Sequence, residues 1–227
     1  MITGRIVAVQ TGAIRPLGPK GVPSAIVKTP VAGPVSIGAM GLAGDAQGDP
    51  ARHGGVDKAV HVYPMAHYAS WARDLPEQAD RLTPGAFGEN IVLDGLSEAD
   101  ICIGDRFDLG TARVEVSQAR QPCWKLNLRF GVPDMARRVQ VSGRTGWYLR
   151  VLVPGHVAEG DQLVLTARPN PDWDLERVQR LLYRDALDRA ALAEFTDLAG
   201  LSASWRALAL RRLESGALED WEPRLDG

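Results

Sequence analysis

A mainly β domain of the barrel or sandwich type, followed by a small helical appendage, is the fold class this sequence predicts, and three observations predict it. From Ile2 to Val153 the apolar residues fall in short runs, among them ITGRIVAV, SAIVKTPV, ENIVLDG, ICIGDRFDLG, ARVEVS and WYLRVLV, punctuated by Gly, Pro and Asp. Short runs at modest spacing fit successive strands, not strands alternating with long helices. The strand pattern closes with GDQLVLTA, and ARPNPDWD then reads as a linker. Beyond that tract the apolar period lengthens to three or four residues, the period of a helix. The expected division is a β domain over 1–168 and a three-helix domain over 169–227.

One helix is expected inside the β domain. After Pro64, MAHYASWARDL places Met65, Tyr68 and Trp71 or Ala72 on one helical face, which can lie against the strands. Gly38–Asp57 is rich in glycine and lacks periodicity, so it reads as a loop, and its charged run DPARHGGVDK favours a functional one. Val114 and Val116 alternate with Arg113 and Glu115, as in a half-buried strand. That strand would deliver SQARQPCWK, residues 117–125, at a sheet edge or barrel mouth, with Pro122 ending its ladder. In the tail, Leu175, Val178, Leu181 and Leu182 share a face behind Asp172 or Asp174 as N-cap. Leu187, Ala191, Phe195 and Leu198 mark a second helix ended by Gly200, and Ser202 or Ser204 caps a third carrying Trp205, Leu208 and Ala209.

Composition narrows the function classes. The chain has 227 residues, 45% of them apolar, enough to bury a sizeable core. Its formal charge of −2 offers no overall basic surface for nucleic acid or an anionic membrane. Two cysteines make no disulfide framework, Cys102 in ICIG reads as core, and a reducing cytoplasmic setting follows. MITGRIVAVQTG has neither the basic nor the long apolar region of a secretory leader, and no window is long enough to span a bilayer.

Five islands hold polar residues for which a strand-and-turn scaffold has no structural use: PSAIVK (23–28), DPARHGGVDK (49–58), FGEN (87–90), SQARQPCWK (117–125) and RTGWY (144–148). They gather Lys28, Arg52, His53, Lys58, Arg120, Lys125 and Arg144 into a cationic set suited to an anionic, phosphorylated ligand. Each of these residues taken singly is an ordinary surface side chain. Gly54 and Gly55 would let backbone amides turn toward an anion, or simply make a turn. Cys123 is either a small buried hydrophobe or a soft ligand and nucleophile, with Arg120 and Lys125 supplying positive charge beside it. Its spacing from Cys102, and that of the four histidines, does not match a zinc site, whereas a cysteine hydrolase pairing Cys123 with His53 stays open. EFTDLAGLSASWRALALRRL has the outline of a DNA-reading helix-turn-helix, with Arg206, Arg211 and Arg212, but its acidic neighbours would repel phosphates.

Taken together and in order, KGVPSAIVK, GLAGDAQGDPARHGGVDKAVHVYP, FGENIVLDGLSEADICIGD, VSQARQPCWKLN and GRTGWYLRV resemble the MOSC domain, the molybdenum-cofactor sulfurase C-terminal domain. The likeness is to its bacterial YiiM-type branch and covers nearly the whole chain, with GLSASWRALALRRLESG resembling the three-helix addition of that branch. The resemblance implies a MOSC-type β-barrel holding a mononuclear molybdenum–pyranopterin (molybdopterin) cofactor, with Cys123 as the metal's protein thiolate. It implies reduction of N-hydroxylated small molecules, such as N-hydroxylated purines or amidoxime-like compounds, to amines. On that footing Lys28, Arg52, Lys58 and Arg120 are expected at the phosphate or pterin. Ser24, His53 and Asn90 would supply hydrogen bonds, with Asn90 counted beside Cys123 as catalytic, and Glu89 and Asp57 would orient groups or manage protons. The chain shows no flavin, haem or iron–sulfur motif, so a separate reductase is the expected electron donor. Two other readings compete: a metal-free sulfur carrier using a Cys123 persulfide, and a non-enzymatic DNA or protein adaptor using the tail.

Overall fold

The structure is a computed structural model that describes residues 2–49 and 53–227. Seven strands close into a barrel: β1 (Thr3–Thr11), β2 (Val60–Pro64), β3 (Ile91–Asp94), β4 (Arg106–Leu109), β5 (Ala112–Ala119), β6 (Trp147–Val153) and β7 (Gln162–Ala167). The order round the barrel is β7-β4-β5-β6-β2-β3-β1, and β1 pairs back to β7 through Thr3 opposite Val164. All neighbours are antiparallel except β2 and β3, where Val62 faces Ile91 in parallel. A parallel pair needs a crossover. Here it contains the predicted helix, α1 (Ala66–Asp74).

Interior positions are filled by Ile6, Val62, Ile91, Phe107, Val114, Val116, Trp147 and Leu149, all almost wholly buried, so the barrel is a packed core and not a channel. A second cluster lies outside the wall, where Tyr68 and Trp71 of α1 meet Phe87, Leu126, Phe130, Met135 and Val139. The last four of these belong to two further short helices, α2 (Lys125–Phe130) and α3 (Met135–Ser142). Tyr63 stacks on Phe87 at 4.4 Å between ring centroids and accepts a 2.7 Å bond from Trp71 Nε1, which locks α1 to β2.

Several expectations need correction. Met65 precedes α1 and is 40% exposed, so the helix is held by Tyr68 and Trp71 without it. SAIVKTPV is no strand: only Val22–Ser24 and Thr29–Pro30 pair, and between them Ile26 and Lys28 lie against Gly88 and Gly85. Nor is ICIGDRFDLG one strand, since β4 starts at Arg106 and Cys102 makes only an isolated bridge to Asp174. The strand β5 is not half-buried. Only Arg113 is exposed along it, because the helical tail covers the outward face, with Ser202 N donating to Ser117 O at 2.9 Å. The ladder also stops before Pro122, one bond past Ala119, where Arg120 N donates to Gly146 O at 3.0 Å.

The tail forms α4 (Leu175–Tyr183), α5 (Arg189–Asp197) and α6 (Ala203–Ser215), capped by Asp174, Asp188 and Ser202 through side-chain bonds to backbone N–H groups. Leu187 is exposed before α5, whose buried residues are Leu192 and Phe195. A fourth short helix, α7 (Glu222–Leu225), was not foreseen. Trp173, Phe195 and Trp205 join the barrel's own residues in one continuous apolar cluster. Arg212, offered by sequence as a DNA-reading residue, is 2% exposed, gripping Glu219 through two nitrogens and the carbonyls of Leu182 and Ala186. No helix among the described residues is long and apolar enough to cross a membrane.

Candidate functional site

Where β5 runs out, the chain turns through Gln121 and Pro122 and sets Cys123 immediately before α2, whose first turn begins with Leu126 N donating to Cys123 O at 3.0 Å. The sulfur-bearing residue is 9% exposed, and that residual exposure faces an inner cleft of about 90 Å³ and an adjoining outer trough of about 720 Å³. It is therefore not sealed in the core. Cys102 is, at 2% exposure, with burial first and Asp105 second raising its thiol to about 11.

The inner cleft unites almost all the predicted site residues. Ser24, Lys28, His53, Lys58, Asn90, Arg120 and Cys123 line it, contributed by segments far apart in sequence. Arg52 lies outside the described residues. Lys125 also lines the cleft, its ammonium donating to Pro23 O at 3.1 Å. Arg144 does not. Its guanidinium lies 3.8 Å from the Trp71 ring centroid and pairs with Asp74, on the α1 side of the barrel. Glu89 and Asp57 stand behind the cleft and not in it. Glu89 is fully buried, accepting from Tyr68 Oη and from the amides of Gly85 and Phe87. Asp57 takes two guanidinium bonds from Arg150, at 2.6 and 2.8 Å, and one from Ala203 N, tying the barrel to α6. Neither carboxylate lines the cleft.

Sequence reasoning missed Asp45, His61 and Tyr148. Asp45 is central: its carboxylate accepts from Gly12 N at 2.7 Å, from Asn90 Nδ2 at 2.8 Å, and from the Lys28 ammonium, to which it is paired. Asn90 is fixed again by donating to Gln10 O at 3.3 Å and by accepting His61 N at 3.0 Å. Asp45, Lys28 and Asn90 thus form one locked unit on the cleft wall. An aspartate among the glycines of a loop, one of three in Gly38–Asp57, was the only signal for it. The loop comes so close to Pro23 and Ser24 that a Cβ on Gly48 would lie 2.6 Å from Pro23 O.

Electrostatics also revise the cationic set. Burial first, then Lys125, Arg120 and Lys58, lower His53 to about 4, so it is a neutral hydrogen-bonding group near neutrality. His61 falls to about 3, through burial and then Arg120. Burial lowers Lys58, with Asp57, Asp49 and Cys123 acting the other way. Arg120 is 6% exposed and donates Nη2 to Phe87 O at 3.4 Å. Its buried Nη1 has no hydrogen-bond partner among the described residues. A guanidinium N–H desolvated without an acceptor is costly, and an anion in the cleft would supply one. A site with Lys28, Lys58, Arg120 and Lys125 around one thiol can hold an anion and a soft metal together.

Comparison with known proteins identifies the family. The MOSC domain model matches residues 49–164, and the model of a YiiM-like, 3-alpha helix domain matches residues 173–216. The chain is 40% identical over 221 residues to Protein YiiM of Escherichia coli, covering 97% of this chain and 98% of that one. It is 41% identical over 176 residues to a Reductase of Gibberella moniliformis, covering 77% of this chain but 31% of that protein. The crystal structure of YiiM from Escherichia coli superposes with a TM-score of 0.85 and 33% identity over the full length of both chains.

Proposed function

Because the chain belongs to the MOSC-domain family, in the YiiM-like branch with a three-helix domain, we propose that it is a molybdenum–pyranopterin-dependent reductase of N-hydroxylated small molecules. The observation that carries the reading is the convergence of the Cys123 thiol with the unpartnered Arg120 Nη1 in a cleft ringed by three lysines. A pyranopterin bears a phosphate, which the cations of the cleft suit, and the soft metal it carries would accept the Cys123 thiolate as a further ligand.

Cys123 would hold the metal through its sulfur. Arg120 would donate Nη1 to the phosphate, with Lys58 and Lys125 adding positive charge and Arg52 assigned to the same set, while Lys28, its charge already met by Asp45, would offer a hydrogen bond from the cleft wall. Asn90 and Ser24, both almost fully buried, would orient the pterin by hydrogen bonds. Neutral His53 serves as a donor or acceptor rather than a counter-charge. When bound, the group supplies the two-electron transfer that reductive cleavage of an N–O bond requires. The protein's share is to exclude water, fix the ligand and deliver protons. Substrate enters by the outer trough, and electrons come from a separate reductase.

The test is full-length protein made in a cofactor-competent host, assayed for molybdenum by mass spectrometry and for amine formation from an N-hydroxylated base with a chemical electron donor. About one metal per chain with turnover, both lost in Cys123→Ala, supports the reading. A sulfur adduct on Cys123 without molybdenum identifies a sulfur carrier instead. Molybdenum retained in Cys123→Ala overturns the ligand assignment.

A further inference from the structure

The loop carrying Cys123 is fastened from behind by the stretch beyond α6, and we propose that Asp220–Asp226, acting through Arg224, positions the Cys123 sulfur and walls the outer trough. Both chain neighbours of Cys123 are bonded to one residue. Arg224 Nη1 donates to Pro122 O at 2.7 Å, and Trp124 N donates to Arg224 O at 2.8 Å. The other guanidinium nitrogen, Nη2, donates to Gln140 Oε1 of α3 at 2.6 Å, so the fork is held at both tips.

The stretch is itself anchored. Leu225 is 1% exposed, its carbonyl accepts from Asn127 Nδ2 at 2.9 Å, and Asp226 pairs with Arg137 at 3.1 Å. Asp220, Pro223 and Arg224 line the trough together with Cys123 and Lys125. None of these tail residues falls within the segments matched by the two domain models, which end at 164 and 216. Pro122 has no N–H to give a neighbouring strand, so the loop cannot be held by ladder bonds at that point. A charge-assisted bond to its carbonyl takes their place.

The inference rests on Cys123 being the reactive sulfur, and its test does not require the loaded enzyme. Full-length protein is alkylated with iodoacetamide and the rate at each cysteine is followed by peptide mass spectrometry, with sealed Cys102 as internal reference. Arg224→Ala should raise the Cys123 rate roughly tenfold, the effect of losing one charge-assisted bond to a buried carbonyl, while Cys102 stays unreactive. Arg224→Lys, which can still reach one acceptor, should recover most of the protection. An unchanged Cys123 rate in Arg224→Ala, or an equal rise at Cys102, overturns the proposal. Should Arg224→Ala fail to fold, Gln140→Ala decides the matter. It frees one tip of the guanidinium, so a two- to fivefold rise at Cys123 is expected on the same grounds, and no rise sinks the idea. Absence of molybdenum from the unaltered protein would instead remove the reductase reading and leave this series intact.

Discussion

Replacing Asp45 by alanine removes the acceptor shared by three donors on the cleft wall: Gly12 N, Asn90 Nδ2 and the Lys28 ammonium. The Asp45 and Lys28 side chains are 4% and 6% exposed, so water cannot compensate the lysine that is left. Removing one partner of a buried ion pair costs about 3–5 kcal/mol, chiefly from the uncompensated charge. At about 2–4 °C per kcal/mol for a chain of this size, the melting temperature should fall by roughly 6–20 °C in scanning calorimetry. The companion Lys28→Met/Asp45→Asn keeps an acceptor for Gly12 N and removes the stranded charge, so it should recover most of that loss. A drop below about 2 °C in Asp45→Ala would put the pair in the class of surface ion pairs, worth about 0–1 kcal/mol, and would refute the locked-unit account. So would a double variant no more stable than the single one.

Four other outcomes follow from the same geometry. His53 and His61 are held neutral, at about 4 and about 3 against an ordinary 6.5, so the unfolded chain takes up protons first as pH falls. Their contribution is therefore intact above about pH 6.5 and is lost on the way down to about 4 for His53 and about 3 for His61, at up to ~1.4 kcal/mol per pH unit for each histidine; His61→Gln should remove one proton from the slope of unfolding free energy against pH. Gly146→Ala should fail to accumulate as folded protein, judged by circular dichroism and gel filtration. Its φ is +69° and a Cβ would lie 2.2 Å from Val62 O, a backbone atom that cannot give way. Arg212→Ala leaves two buried carbonyls without a donor, while Glu219, one-third exposed, regains water; it should cost about 2–3 kcal/mol in urea unfolding. Arg120→Met should weaken retention of molybdenum, measured on the purified protein, with the melting temperature moving by no more than a few degrees, because losing the unsatisfied Nη1 offsets losing the Nη2 bond to Phe87 O.

Much of the fold was legible because it is local. Alternating apolar runs, Gly and Pro punctuation, and Asp174 and Ser202 before helical periods are short-range signals, and most appear in the structure as a strand, a turn or a cap, SAIVKTPV and ICIGDRFDLG excepted. What misled was the exposure of β5. Alternation of Val114 with Arg113 reads as one wet face, but Glu115 is 5% exposed beneath the tail and paired with Arg106 and Arg150. A sequence pattern reports which residues tolerate water, not which are later covered by another domain.

For the site, residue types and order pointed to Cys123 among scattered cations, and the barrel's closure brought seven of the assigned residues to one cleft. Which cations face it could not be read along the chain. Arg144 and Lys125 look alike in sequence, but one stacks on Trp71 and the other reaches Pro23 O. Asp45 and Arg224 were invisible for the same reason: their roles consist of bonds to Lys28, Asn90 and Pro122, partners 17, 45 and 102 positions away. Sequence alone determined that a soft sulfur, a set of cations and a strand-rich scaffold would occur together. Only the tertiary structure decided which charges converge and which are spent elsewhere, because hydrogen bonds and desolvation act over a few ångströms of space and are blind to distance along the chain.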